Sequence, residues 1–381
     1  MKKITLSAVA FLMLGGVAFA ENNNVVNSDL LKKVDGYVRL GYQHDDKDSK
    51  TDLAIGGKLH AETKSFSGIS AGVSFYTTNA IRNNHDGGSV PFFDADNKSY
   101  SILGEAYLLG KFKNTTIKIG RQELDTPFAD TDDNGMIPNT FEAEILTNTD
   151  LLGTTIVLGQ IQRWAGVDTD EPSKFTKLID KHNVQVGGIT YEGIENLALS
   201  AWYYNLKDND IDRIFYTDAN YEGEKDDFSY SLGVQYANQH YNASNEDSAK
   251  VYGFSASAGY KGFTLGVAYN KSNDNGADNG FGGGPFFTSA NFLTIAEAGK
   301  DGDAVLVNGE WDASDVIKGL SLNTGYVTLH DKDDTKSTEF DAGLSYAFND
   351  NLSLDVIYSD VDDKINDDKF KNTRVFVNYA F

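Results

Sequence analysis

The chain has 381 residues and no cysteine, and its 56 acidic side chains against 33 basic ones give a formal net charge of −23. That balance excludes nucleic acid as a partner, because binding phosphates needs basic patches, and it excludes a disulfide-stapled secreted domain or a thiolate metal site. Glycine and aromatic residues are abundant and proline scarce (37 Gly, 20 Tyr, 23 Phe, 5 Pro), which suits strands with lipid on one face and water on the other. A soluble exported β-protein shares this composition, so the pattern along the chain has to decide.

Residues 1–20 read as a signal peptide. Lys2 and Lys3 form a positive start, Ile4 to Phe19 is apolar, and Ala18-Phe19-Ala20 supplies the small-x-small cleavage pattern. A spanning helix needs about 20 apolar residues; this run is shorter and broken by Gly15 and Gly16, and none comparable follows. Cleavage before Glu21 removes two lysines and takes the charge to about −25. Residues 21–33 read as a periplasmic N-terminal segment and 34–381 as an outer-membrane β-barrel.

From Val34 a period of two takes over. Val34, Gly36, Val38, Leu40 and Tyr42 share one face, while Asp35, Tyr37 and Arg39 share the other. Leu53 to Ala61 repeats the pattern against Asp52, Lys58, His60 and Glu62, and a short turn at Lys64 to Gly68 leads to Ile69 to Phe75. The next connection, Thr77 to Ser99, is long. Short turns alternating with long loops are the rhythm of a transmembrane barrel, whereas repeated long loops count against a compact soluble fold.

Tyr100 to Lys111 and Thr116 to Gln122 form the next hairpin, and the polar stretch Gly120 to Glu142 follows it as the third external loop. Strands near 140–148 and 153–164 come next, then a loop from Trp164 to Asn183 in which Asp170-Glu171-Pro172 predicts a short helix. Alternation is weaker over 184–219, sharpens again in Phe228 to Tyr236 and Tyr252 to Tyr269, and is interrupted by a second long loop, Lys271 to Asp303. Five further strands reach Phe381. The expected fold is all-β, a transmembrane antiparallel barrel of 16 to 18 strands with eighteen as the count, wide enough for an aqueous channel. Tyr379 and Phe381 end the chain as apolar residues at alternate positions and resemble the C-terminal signal read by the outer-membrane assembly machinery.

Gly120-Arg121-Gln122, Asp125-Thr126-Pro127 and Met136-Ile137-Pro138-Asn139-Thr140-Phe141-Glu142 resemble the constriction-loop region of the OprD-type (Opr) outer-membrane porins of Gram-negative bacteria. Gly36-Tyr37-Val38-Arg39 and Leu53 to Ser74 are similar to the start of that family. The resemblance implies eighteen strands, a third loop folded into the lumen, and passive, selective uptake of small solutes such as amino acids or other carboxylates. It carries Arg39 and Arg121 over as basic residues that guide a solute; Arg163 and Arg374 join them by expected lumen phase alone.

Charges at a narrow, low-dielectric zone set ion preference. Arg39, Lys118, Arg121, Asp125, Asp132, Asp133 and Glu142 are the candidates to line it, and the acidic excess predicts weak cation preference. Asp130, Asp132 and Asn134 have the spacing of a calcium loop, but Phe141 stands where the closing glutamate belongs. Turn chemistry accounts for them, and no metal is expected. Phe281-Gly282-Gly283-Gly284-Pro285-Phe286-Phe287 lacks the Lys-Ser/Thr of a phosphate-binding loop and reads as a flexible external loop with aromatic contacts, and no cofactor is expected.

A channel, and not an enzyme, is the reading that results. Two alternatives remain open: a barrel-type lipase or protease, for which no Ser-His-Asp spacing stands out, and a surface adhesin or structural envelope protein, suggested by the acidic loops. The expected partners are outer-membrane lipid and lipopolysaccharide, the assembly machinery, and small hydrophilic solutes and ions. A single barrel and a homotrimer are both open.

Overall fold

The computed structural model of the protein describes residues 29–47, 50–83, 92–207, 209–242 and 247–381. The signal peptide, the Glu21 junction, the lead-in as far as residue 28 and residues 84–91 of the long Thr77 to Ser99 connection lie outside the described residues. The lead-in expected up to residue 33 already enters the first strand, which begins at Leu31.

The strands in chain order are β1 (Leu31–Asp45), β2 (Lys50–Thr63), β3 (Ile69–Asn83), β4 (Tyr100–Phe112) and β5 (Thr115–Gln122). Two short strands, β6 (Asp125–Thr126) and β7 (Ala129–Asp130), precede β8 (Thr140–Asn148) and β9 (Thr154–Ala165). After the two-residue β10 (Thr176–Lys177) come β11 (Val184–Ile194), β12 (Leu197–Asn205), β13 (Ile211–Lys225), β14 (Phe228–Tyr241), β15 (Ala249–Tyr260) and β16 (Phe263–Asp274). The last five are β17 (Asp303–Asp312), β18 (Leu320–His330), β19 (Lys336–Ala347), β20 (Leu352–Asp363) and β21 (Asp368–Ala380).

Leaving out β6, β7 and β10, each strand pairs antiparallel with the next, and β21 pairs with β1. The result is the expected closed barrel of eighteen strands. Closure leaves no free edge strand, so the wall's peptide groups pair within the sheet as a lipid setting demands. The C-terminal residue completes the seam: Gly36 and Phe381 exchange backbone hydrogen bonds of 3.1 and 3.0 Å.

Alternation places the two faces as the sequence predicts. On β1, Val38, Leu40 and Tyr42 are exposed while Arg39 is buried; on β21, Tyr379 is exposed while Arg374 and Asn378 are buried. Outward aromatics meet in pairs near the short turns, such as Phe263 stacked on Trp311 at 5.0 Å and Tyr346 edge-on to Phe348 at 4.7 Å. The short turns are tight because their residues accept left-handed backbone; Lys261 and Gly262, with φ of 49° and 81°, join β15 to β16.

One local expectation fails. The loop after β9 holds no helix: Lys174 N–H donates to Glu171 O in a single turn, and the chain then extends so that Thr176 and Lys177 pair with Trp164 and Arg163. The open edge of β9 claims the backbone groups that a helix would have used.

Candidate functional site

The connection from β5 to β8 runs in two limbs. In the first, β6 and β7 form a hairpin that pairs Asp125 with Asp130 and Thr126 with Ala129. Its tip carries Phe128, fully buried, with ring centroids 5.6 Å from Tyr204, 5.8 Å from Tyr216 and 6.0 Å from Phe286. Tyr204 and Tyr216 stand on the inward face of β12 and β13. Phe286 belongs to residues 275–302, the connection after β16, and backbone bonds tie the two connections together: Asp130 N–H to Phe281 O at 3.1 Å and Phe281 N–H to Phe128 O at 3.0 Å.

The second limb reaches a different sector of the wall. Asp133 accepts two bonds from the Arg39 guanidinium on β1, at 2.7 and 2.8 Å, and Arg39 also donates to Gly135 O at 2.6 Å and to Asn378 Oδ1 on β21 at 2.7 Å. Met136 packs with Phe92, Phe93, Ala54 and Phe376, and Ile137 with Tyr76, Ile102 and Ala165. Gly41 on β1 leaves the space that Met136 fills; a Cβ there would stand 2.6 Å from its sulfur and 3.0 Å from the Phe92 ring.

The connection after β16 is fixed by burial and by one carboxylate. Phe286, Phe287, Leu293 and Ile295 are buried in the same cluster as Phe128. Glu339 on β19 accepts the backbone N–H groups of Phe292, at 3.1 Å, and Leu293, at 2.7 Å. The aromatic contacts expected of this segment are present, and its aromatic and aliphatic residues are packed as core, which a flexible loop would not provide.

Three adjoining cavities follow these connections. One of about 420 Å³ is lined by Glu123, Leu124, Asp125 and Asp130 to Asp133. Asp132 is shared with a second, of about 280 Å³, which also exposes Asp168, Glu297, Asn291 and the Trp164 ring. Asp125 and Asp130 are shared with a third, of about 510 Å³, reaching Trp202, Asp218 and Asn220 on the wall. Burial pushes the Asp130 carboxyl up to about 6, helped by repulsion from Asp125 and Asp168. Burial raises Asp132 as well, with Asp168 and Asp130 adding to it, and raises Asp168 and Glu297. In the smaller cavity Asn134 Oδ1, Ser289 Oγ and Asn291 Nδ2 are buried with no hydrogen-bond partner among the described residues.

Inward lysines are matched by carboxylates, whereas Arg374 is held by neutral oxygens. Lys58 Nζ lies 2.8 Å from Glu123 and 3.1 Å from Glu105, and Lys118 Nζ is 3.6 Å from Glu105 and 4.0 Å from the Tyr107 ring centroid. Glu105 also accepts from Ser74, which His60 contacts at 2.8 Å. Arg374 donates to Asn134 O at 3.0 Å and to Asn291 Oδ1 at 3.2 Å.

Of the residues singled out in the sequence, Arg39, Asp133 and Arg374 meet on the second limb, Asp125 and Asp132 line the cavities, and Lys118 stands on the inward network. Arg121, Glu142 and Arg163 do not join them. Arg121 is two residues beyond the exposed Ile119 on β5, pairs with Glu142 in register, and Glu142 pairs with Arg163. The opposite phase belongs to Gln122 and Phe141, both buried, and Phe141 stacks on Trp164. A period of two therefore puts Arg121, Glu142 and Arg163 on the outward face, where Arg121 Nε donates to Glu142 at 3.0 Å and stacks on Phe175. The calcium-like trio makes a turn: Asp132 N–H donates to Asp130 and Asn134 Nδ2 to Asp132.

Residues not among the candidates for the narrow zone are Lys58, Glu105, Glu123, Asp168 and the 275–302 connection. Lys58 shares the phase of His60 on β2 and was findable by alternation. The apolar run of Phe286, Phe287, Leu293 and Ile295 inside a long loop is the signal that this loop has a buried partner.

A closed wall of eighteen strands with an apolar exterior, lined inside by charged and polar groups, defines a transmembrane channel-type barrel. A family model described as outer membrane porin, OprD family, matches residues 82–381. The chain belongs to that family, and its place is the bacterial outer membrane. Among solved structures it is similar to Pseudomonas aeruginosa OpdK with vanillate (17% identity, TM-score 0.81, covering 93% of this chain and 98% of that one). It is also similar to P. aeruginosa OccK8 (OprE), at 15% identity, TM-score 0.78 and coverage of 92% and 98%. Acinetobacter baumannii OccAB4 shares 18% identity, with TM-score 0.77 and coverage of 91% and 97%. No curated protein matches the chain.

Proposed function

We propose that this porin conducts ions and small hydrophilic solutes by passive, selective diffusion through a zone narrowed by the connections after β5 and β16, with a preference for cationic groups. The observation that carries the reading is the acidic lining of the 420 Å³ cavity, with Glu123, Asp125, Asp130, Asp132 and Asp133 on one short segment. Arg39, Lys58 and Lys118 are held against carboxylates at 2.7 to 3.6 Å. Low-dielectric walls concentrate the field of the surplus acids on a passing solute. The similar OpdK structure is one with vanillate, an aromatic carboxylate; the acid surplus here supports a different preference, with carboxylates admitted when they carry an amino group, as amino acids do.

Single channels in planar bilayers test this. In a tenfold KCl gradient the reversal potential is expected to have the sign of cation preference, and arginine is expected to enter liposomes faster than succinate. A closed barrel that conducts nothing would sink the channel reading, and clear anion preference would sink the selectivity.

A further inference from the structure

The outward face of the wall changes chemistry along a line. It is apolar as far as Ile119 on β5, Leu158 on β9, Tyr203 on β12 and Phe215 on β13, all exposed. Two residues further toward the long connections the same face becomes polar. Glu144, Gln160, Gln185, Asn205, Arg213 and His240 are successive cross-strand partners from β8 to β14. Several are joined: Gln162 donates to Glu144 at 2.8 Å and Asn205 to Gln185 at 3.2 Å.

Two arginines on this face are half exposed and only loosely held. Arg163 lies 3.7 Å from Glu142, which has the nearer Arg121 at 3.0 Å, and it stands directly across from Lys177 in register. Arg213 lies 3.9 Å from Asp212, which has the nearer His240 at 2.8 Å. Arg121, Arg163, Lys177 and Arg213 thus face Glu142, Glu144 and Asp212. In a chain of net charge −23, this is a belt with a small positive surplus, rich in side-chain amides and set against the edge of the apolar band.

We propose that this belt binds the phosphorylated sugar headgroup of an outer-leaflet glycolipid. The amides of Gln160, Gln185 and Asn205 match sugar hydroxyls, the arginines match phosphate through charge-assisted forks, and the apolar rows below accept the acyl chains. A purely solvated surface would have no need of a cation surplus here, since the turns at the same end are acidic, as at Asp331, Asp333 and Asp334.

The test is native mass spectrometry of the detergent-purified full chain with bisphosphorylated lipid A, its dephosphorylated form and phosphatidylglycerol. Wild type is expected to retain bisphosphorylated lipid A at least tenfold more strongly than the other two, and Arg163→Gln/Arg213→Gln to lose that preference. Conductance in bilayers free of glycolipid should be unchanged in the double variant, which separates this inference from the channel reading. Equal retention of the three lipids by wild type, or equal lipid A retention by variant and wild type, overturns it. So does loss of an oligomer on blue-native gels without any change in lipid retention, which would mark the belt as a contact between copies.

Discussion

The two limbs of the connection after β5 are held by different physics. The first, Leu124 to Asp132, is placed by burial: Phe128 sits among Tyr204, Tyr216 and Phe286, and the neighbouring connection adds backbone bonds. The second, Asp133 to Asn139, is placed by one ion pair and two small apolar clusters. Both carry acidic groups beside the same cavities, yet only the first is integral to the large cluster that spans the strands from β8 to β20. Removing the anchor of each limb should therefore have unequal effects.

The largest effect is expected from Phe128→Ala. Truncating a buried phenylalanine costs about 3 to 5 kcal/mol, and here the loss falls on the connections, because the wall is closed by its own hydrogen bonds. The first limb should dislodge together with residues 275–302, giving single channels of higher and noisier conductance while the barrel keeps its resistance to unfolding in cold detergent. Arg39→Gln strikes the second limb. It leaves Asp133 and Gly135 O without their donor, at roughly 1 to 3 kcal/mol, reduced because Asp133 is about a third exposed. Its conductance change should be smaller than that of Phe128→Ala. If the order is reversed, the ion pair and not the aromatic cluster is the main support of the connection.

A pH titration sharpens the comparison at the point where the limbs join. Asp130 has its carboxyl raised to about 6, Asp132 is raised by burial and by repulsion from Asp168 and Asp130, and Asp168 is raised by burial. A raised carboxyl is neutral below its shifted value and charged above it, so negative charge beside the cavities disappears as pH falls. Cation preference, read from reversal potentials, should be highest near pH 9 and decline through pH 7 to 5. In Asp130→Asn/Asp132→Asn/Asp168→Asn most of that decline should be absent. An unchanged pH profile in the triple variant would move the selectivity to other groups, such as Asp218 or Glu297.

Much of the wall was legible because β-structure has one rule, alternation, and lipid enforces it. Val38, Leu40 and Tyr42 against Arg39 identify both faces of β1 without any other information. The terminal Tyr379 and Phe381 do the same for β21. The connections obey no such period. Phe286 reads as a loop residue because nothing local says that Phe128, more than 150 positions earlier, is its partner. The expected helix near Asp170 failed for a related reason, since the free edge of β9 is invisible in the residues that pair with it. The phase of Arg121 was lost where strand meets loop. Gly120, at φ 122° and with Ala106 O filling the place of a Cβ, suggests a change of direction, but the pairing continues unbroken through Arg121 to Gln122.

The phase of the wall cations gives the smallest expected effect, and it is a difference in kind. Lys118 and Arg163 both stand near the connection after β5. The register puts Lys118 on the face of Glu105 and Lys58, and Arg163 on the face of Glu142 and Lys177. Lys118→Gln leaves Glu105 with less positive charge nearby and should move the reversal potential a few millivolts further toward cation preference. Arg163→Gln removes the same formal charge and should leave it where it is, because the electrolyte around a half-exposed outward group screens it from the channel. Were Arg163→Gln to shift selectivity as much as Lys118→Gln, the outward phase of β9 beyond Ile161 would be wrong. The whole strip from Arg121 to Lys177 would then belong to the channel and not to the lipid-facing surface.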